Sequence, residues 1–290
     1  MTTESVADLF VDRRYSRKID DGDGGFVHVH DIGSGPPVII QQAFGPSPGT
    51  SAWLTWKGVV EKLQDSYRCI LLDFPNFGLS SRRAINEPAH EVCARNTFHV
   101  MDELGIDSAP VLGTSMGGTV AIVMALQQPE RVDRMMIGAC HASTGGDPYT
   151  LAPFPSEVLR RFAESRENPP SPALIRQLLR SIVYDEELVT PELVEALYEW
   201  RLRDVAVNGE GGGGPSYPHS RLADLSSIST PTLIVHGRFD RMVPLEHATL
   251  LMSYLSQANL VVLNRCGHWP PFEFPQEYAA HARRFLEAKQ

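Results

Sequence analysis

Apolar residues in this chain fall into short runs separated by turn signals, and the runs switch between a period of two and a helical period. Residues 26–30 (Phe-Val-His-Val-His) alternate behind Gly24-Gly25, and residues 38–42 follow the tight turn Gly33-Ser34-Gly35-Pro36-Pro37, so both predict strands. Residues 67–73, 109–112 and 134–139 are further strand-length runs. So are 231–240, which carries an aspartate at its C-terminal end, and 259–268, which carries a histidine after a short loop. Residues 93–104 and 118–126 have helical spacing, the first stopped by Gly105 and the second ahead of Pro129. Strands alternating with helices at this rhythm predict an α/β fold, a mostly parallel sheet covered on both faces. His28 and His30 share one strand face but lack a third candidate ligand nearby, so they read as a sheet-edge pair rather than a metal site.

Between about 141 and 227 the alternation stops. Three helical patterns follow one another at 156–165, 172–183 and 190–205, the last with Thr190 as N-cap and Pro191 at the first helical position. This predicts a helical cap over residues 141–227, inserted into a core formed by 1–140 and 228–290. The run Gly209-Glu210-Gly211-Gly212-Gly213-Gly214-Pro215 reads as a flexible surface loop, with a cap hinge as its functional alternative. No lysine or Ser/Thr follows it in the register of a phosphate loop.

The chemistry enters at Gly113-Thr114-Ser115-Met116-Gly117, which lies between a predicted strand and a predicted helix. A G-x-S-x-G in that context forces the serine into a strained turn, with Oγ above the sheet and the helix amides pointing at any negative charge that forms nearby. A serine nucleophile needs a base, and the base needs an orienter. Asp240 and His268, each at the C-terminal end of a later strand, supply them in the order Ser115, Asp240, His268, which is the order of α/β-hydrolases. In those roles His268 takes the Ser115 proton and returns it to the leaving group, while Asp240 holds the imidazole tautomer. Taken singly, an Asp and a His of this kind are more often a surface charge and a satisfied core residue.

Composition narrows the classes. At 290 residues with 42% hydrophobic and 21% charged content, the chain is large enough for one sizeable core. A formal net charge of -9 argues against a nucleic-acid surface, and Ser16-Arg17-Lys18 and Arg82-Arg83 are short enough to be solvated charges. The first twelve residues carry acidic groups and no apolar stretch of signal-peptide type, and no run approaches the ~20 apolar residues of a membrane span. Cys69, Cys93, Cys140 and Cys266 lie among apolar neighbours without C-x-x-C spacing, as reduced buried thiols of a cytoplasmic protein do.

Across nearly its whole length the chain resembles the α/β-hydrolase superfamily, and within it the meta-cleavage-product hydrolases, which cut carbon–carbon bonds in vinylogous diketones. The similar segments are 101–106, Ser115-Met116-Gly117-Gly118, Val183-Tyr184-Asp185, Leu188-Val189-Thr190, 237–245 and Gly267-His268-Trp269. The resemblance implies a serine hydrolase without cofactor or metal, acting on a small molecule. Homodimers are common among the proteins it resembles, although nothing in the sequence marks an interface. By position the oxyanion donors are the backbone N–H groups of Met116 and Phe44, and losing one such donor costs ~10²–10³ in rate.

Three departures bear on substrate. Gln42-Ala43 stands where the family has His-Gly. Thr114 stands where it has Asn, and Leu197 where it has an arginine that binds the dienoate's acidic end. Arg201 lies one turn further along the same helix face and is the candidate replacement. Gln42, Thr114, Trp269 and Arg201 are therefore the candidate substrate-binding residues. The expected reaction is attack on a carbonyl, with cleavage of a diketone-type C–C bond or of an ester or lactone. The alternative from another class is a ligand receptor or non-hydrolytic enzyme on the same fold.

Overall fold

A computed structural model of the chain describes residues 9–43, 50–140, 156–208 and 222–288. Eight strands form one sheet: β1 (Ser16–Asp20), β2 (Phe26–Ile32), β3 (Pro37–Gln41), β4 (Arg68–Leu72), β5 (Ala109–Thr114), β6 (Val132–Gly138), β7 (Thr232–Gly237) and β8 (Ala258–Leu263). Their order is β1-β2-β4-β3-β5-β6-β7-β8. β2 pairs antiparallel with β1 and β4, and every other pair is parallel.

Strand periodicity decides which residues reach which face. Ile39, Val111, Met135 and Ile234 point to one side, where they pack on α2 (Ala89–Glu103), α3 (Met116–Gln127) and α8 (Leu245–Tyr254). Their neighbours Ile40, Leu112, Met136 and Val235 point to the other, onto α1 (Ala52–Leu63) and α10 (Pro275–Glu287). Each such side chain, fully buried, contributes about 1.5–3 kcal/mol, and a one-residue register slip would exchange the two sets.

Between β6 and β7 in the chain lie α4 (Glu157–Glu167), α5 (Pro172–Ile182) and α6 (Pro191–Asn208), whose described side chains take no part in the sheet's two main cores. Ser156, Ser171 and Thr190 cap them, each accepting a backbone N–H three residues on. The three helices form a third apolar cluster with Phe10, Ala43, Leu54 and Trp269. Two short α-helices, α7 (Leu222–Leu225) and α9 (Pro270–Glu273), and 3₁₀ turns at Pro129–Arg131 and Glu186–Leu188 complete the described elements. The start of the 141–227 block (residues 141–155), the glycine run 209–215 and Phe44 lie outside the described residues.

Two expectations are corrected. β2 lies between β1 and β4, so His28 and His30 are interior residues at 1% and 0% exposure rather than an edge pair. Arg83 is not simply solvated: its guanidinium reaches Asp23 at 2.6 Å and Asn96 at 2.6 Å, fastening the β1–β2 turn to α2. Ser16, Arg17 and Lys18 open β1, with Arg17 paired to Asp31 across it. All four cysteines are buried and free, and burial pushes the Cys69 and Cys140 thiols up to about 12.

Candidate active site

Ser115 occupies the one-residue turn between β5 and α3 at φ 54° and ψ −124°, a conformation a non-glycine residue adopts only under strain. The surroundings explain both glycines of the motif. A Cβ on Gly113 would lie 2.3 Å from the Gly117 carbonyl oxygen, and one on Gly117 would lie 2.5 Å from that of Gln42. With those two positions bare, the turn closes and Ser115 Oγ is carried to 3.0 Å from His268 Nε2. His268 Nδ1 is in turn 2.8 Å from Asp240 Oδ2. The Nδ1 proton directed at the carboxylate leaves Nε2 as an acceptor for the serine hydroxyl.

Asp240 is held from several directions. Its Oδ1 accepts the N–H groups of Met242 (2.8 Å) and Val243 (2.9 Å). Burial alone would raise its pKa, but the charge and hydrogen bond of His268, the charge of His236 and the Val243 N–H together outweigh it. The net effect keeps the carboxyl below its ordinary value.

His236 is the residue that sequence reading missed, although a histidine inside an apolar strand was visible as the signal. It is 1% exposed, and its Nδ1 accepts the Ala139 N–H at 3.3 Å, so Nε2 carries the proton. That proton faces the Val243 carbonyl at 3.0 Å, with Asp240 Oδ2 at 3.5 Å. His236→Phe should therefore leave two buried groups unpaired and destabilise the protein by about 2–4 kcal/mol. A denaturant midpoint equal to wild type would contradict this.

The other sequence candidates divide. The Met116 N–H donates to the Ala43 carbonyl at 2.9 Å, so in this structure it is not open to an oxyanion. A buried amide at a helix N-terminus takes the acceptor at hand, and substrate must displace that carbonyl to use it. Gln42 is buried, accepting the Phe74 N–H at 3.0 Å and donating to the Thr50 carbonyl at 3.3 Å; it fastens loops. The Thr114 hydroxyl donates to the Gly138 carbonyl at 3.3 Å. Trp269 stacks on Phe272 at 4.2 Å and donates to Thr55 Oγ1 at 3.2 Å, forming a wall between the core and the helical block. Of the other aromatics, Phe74 and Phe77 join the main core and Trp53 stacks on His30. Leu197 and Arg201 are both buried on α6, at 0% and 3% exposure, so Arg201 is a cation inside the helical block rather than on its surface.

A second hydroxyl–imidazole–carboxylate line exists. Ser16 Oγ is 2.7 Å from His28 Nε2, and His28 Nδ1 is 2.9 Å from Asp73 Oδ2. Ser16, however, sits in regular antiparallel pairing opposite His30, not in a strained turn at a helix N-terminus. Asp73 also accepts the N–H groups of Ala52 and Leu79, so this line joins β1, β2, β4 and α1 structurally. Among the described residues no group of three His, Cys, Asp or Glu side chains is gathered for a metal ion.

Residues 36–275 match a family described as alpha/beta hydrolase fold. The chain is 32% identical to a 2-hydroxy-6-oxononadienedioate/2-hydroxy-6-oxononatrienedioate hydrolase of Pseudomonas sp, with 98% of each chain covered. It is 31% identical to a 2-hydroxy-6-oxo-6-phenylhexa-2,4-dienoate hydrolase of Comamonas testosteroni, over 91% of this chain and 92% of that one. A solved meta-cleavage product hydrolase from Pseudomonas fluorescens IP01 superimposes with a TM-score of 0.79 at 28% identity, over 94% of this chain and 98% of that one.

Proposed function

The chain belongs to the alpha/beta hydrolase fold family and is a hydrolase with meta-cleavage-product hydrolases among its relatives; on that footing we propose that it cleaves the C5–C6 bond of a 2-hydroxy-6-oxo-dienoate. The observation that carries this is the in-line contact of Ser115, His268 and Asp240 beneath a block of apolar helices. Ser115 is the nucleophile, His268 the base and Asp240 its orienter.

The chemistry follows from where the electrons go. Ser115 Oγ adds to the C6 carbonyl as its proton passes to His268. Collapse of the resulting oxyanion breaks C5–C6 only if the electron pair leaving on C5 can delocalise into the C2 carbonyl of the keto tautomer. His268 then returns the proton to the leaving fragment. Water, deprotonated by the same imidazole, hydrolyses the acyl-serine, so one water enters and a carboxylic acid and a 2-hydroxydienoate leave. The oxyanion takes the Met116 N–H from Ala43, with the Phe44 N–H as second donor.

Arg201 supplies the positive charge for the dienoate carboxylate, replacing the family arginine at whose position this chain has Leu197. Arg201→Met is expected to lower kcat/KM for the dienoate about 10²-fold, the cost of leaving a buried anion unpaired. Hydrolysis of p-nitrophenyl acetate, which has no carboxylate, should change less than threefold. The decisive assay is bleaching of the coloured dienoate by wild type with Ser115→Ala as control. Turnover of neutral esters alone would favour ester or lactone cleavage, the reading that the apolar surroundings of Leu197 support. The cap comprises residues 141–227 and excludes water during the reaction. No described helix is long and apolar enough to cross a membrane, and four free buried thiols support a cytoplasmic setting.

A further inference from the structure

Three chain segments cross just behind the catalytic histidine with no room between them. A Cβ on Gly237, at the end of β7, would lie 1.9 Å from the Gly267 carbonyl oxygen. A Cβ on Gly267 would lie 2.4 Å from the Ile182 carbonyl oxygen and 2.9 Å from the Tyr184 nitrogen. The last turn of α5 thus rests directly on the His268 loop. Its terminal carbonyls, which have no partner within the helix, are taken up by the triad loops. His268 N–H donates to Ile182 O at 2.7 Å, and Arg241, next to Asp240, donates to the carbonyls of Arg180 (2.7 Å) and Val183 (2.8 Å).

One carboxylate closes this junction. Glu273, at the end of α9, accepts the N–H groups on both sides of His268, from Gly267 at 3.0 Å and from Trp269 at 3.1 Å. Its Oε2 accepts the Tyr184 N–H at 2.7 Å, just beyond α5. The three consecutive amides 267–269 are therefore all committed, two to Glu273 and one to α5. A single charged group thus touches both the histidine loop and the helical block.

We infer that Glu273 is a positioning residue, whose carboxylate holds His268 in line between Ser115 and Asp240 and ties that alignment to the seating of the cap. The inference rests on the triad reading above. The substitution Glu273→Gln shows why the charge matters as well as the shape. Both carboxylate oxygens are acceptors facing N–H donors, so in either orientation the NH₂ of the substituted amide would face a backbone N–H. Part of the junction must then open, and the loop that opens is the one carrying His268.

The test uses the second-order rate of Ser115 labelling by a fluorophosphonate, because that rate needs an aligned triad and no knowledge of the natural substrate. Glu273→Gln is expected to remain folded and to label about 10²-fold more slowly, with KM for any turned-over substrate within threefold of wild type. A folded variant that loses thermal stability but labels at the wild-type rate has lost only a structural contact, and the inference is overturned. Should the glutamine variant not fold, Glu273→Asp carries the test, since it keeps both acceptors but draws them back by one methylene. A tenfold slower labelling then supports positioning and a wild-type rate overturns it. Wild-type protein that does not label at Ser115 at all overturns the triad reading itself, an outcome distinct from failure of the Glu273 inference alone.

Discussion

Ser115→Ala should lower turnover by about 10⁴–10⁶-fold and abolish fluorophosphonate labelling, while Ser16→Ala leaves both unchanged. The size follows from the way a triad acts as a unit: without the nucleophile, the imidazole and its carboxylate have nothing to activate. The contrast between the serines is the sharper part of the expectation. Both hydroxyls lie within 3.0 Å of an imidazole that is hydrogen-bonded to a buried aspartate. What separates them is backbone. Ser115 sits at positive φ at the start of α3, with the helix amides behind the point where an oxyanion forms, whereas Ser16 lies in a regular strand with no donors arranged for such a charge. Mass spectrometry of the labelled protein checks this directly. Label on Ser16 would mean that hydroxyl–imidazole–carboxylate contact suffices for reactivity, and the assignment of Ser115 would lose its basis.

Acid should destabilise this protein through His30. The imidazole is wholly buried, stacked on Trp53 at 5.0 Å and edge-on to His28 at 4.9 Å. Its Nε2 accepts the Asp12 N–H at 3.0 Å, and its buried Nδ1 has no hydrogen-bond partner among the described residues. Burial, reinforced by His28 and opposed by the carboxylates of Asp73 and Asp12, lowers its pKa from the ordinary 6.5 to about 4. The neutral form is thus favoured in the fold. The stabilisation is fully present above pH 6.5, where the His30 imidazole is neutral in both the folded and the unfolded chain, and is lost as pH falls from there towards 4. A displacement of that size corresponds to about 3 kcal/mol. Urea unfolding of wild type and His30→Phe at several pH values between 7 and 4 isolates the effect, because other titrating groups cancel in the difference. The wild-type curve should fall more steeply by about 3 kcal/mol over that range; parallel curves would refute the assignment.

Much of the site was legible along the chain. The spacing of Gly113, Ser115 and Gly117 between an apolar strand and an apolar helix is a local property, and so is the strand-end placement of Asp240 and His268. Strand periodicity likewise specified the two sheet faces, because adjacent residues such as Ile39 and Ile40 must point in opposite directions. Other features depend on residues distant in sequence. The interior position of His28 and His30 follows from the antiparallel docking of β1 and β4 on either side of β2, which no pattern within 26–32 specifies. The roles of His236 and Glu273 arise because Ala139, Val243, Tyr184 and Trp269 bring backbone groups to them from separate elements. Gln42 reads as available for substrate along the chain, whereas the packing sets Thr50 and Phe74 against its amide.

The sequence by itself determined most elements, their order and the three residues Ser115, Asp240 and His268 that the fold brings into line, since periodicity, turn chemistry and a glycine-flanked serine are short-range constraints. Only the tertiary structure decided which histidine faces which aspartate, that Met116 is held by Ala43, and that the helical block is fastened to the histidine loop through Glu273 and Ile182. A buried polar group has to find its partner wherever the fold brings one within about 3 Å, and a chain read in order does not show which partner that is.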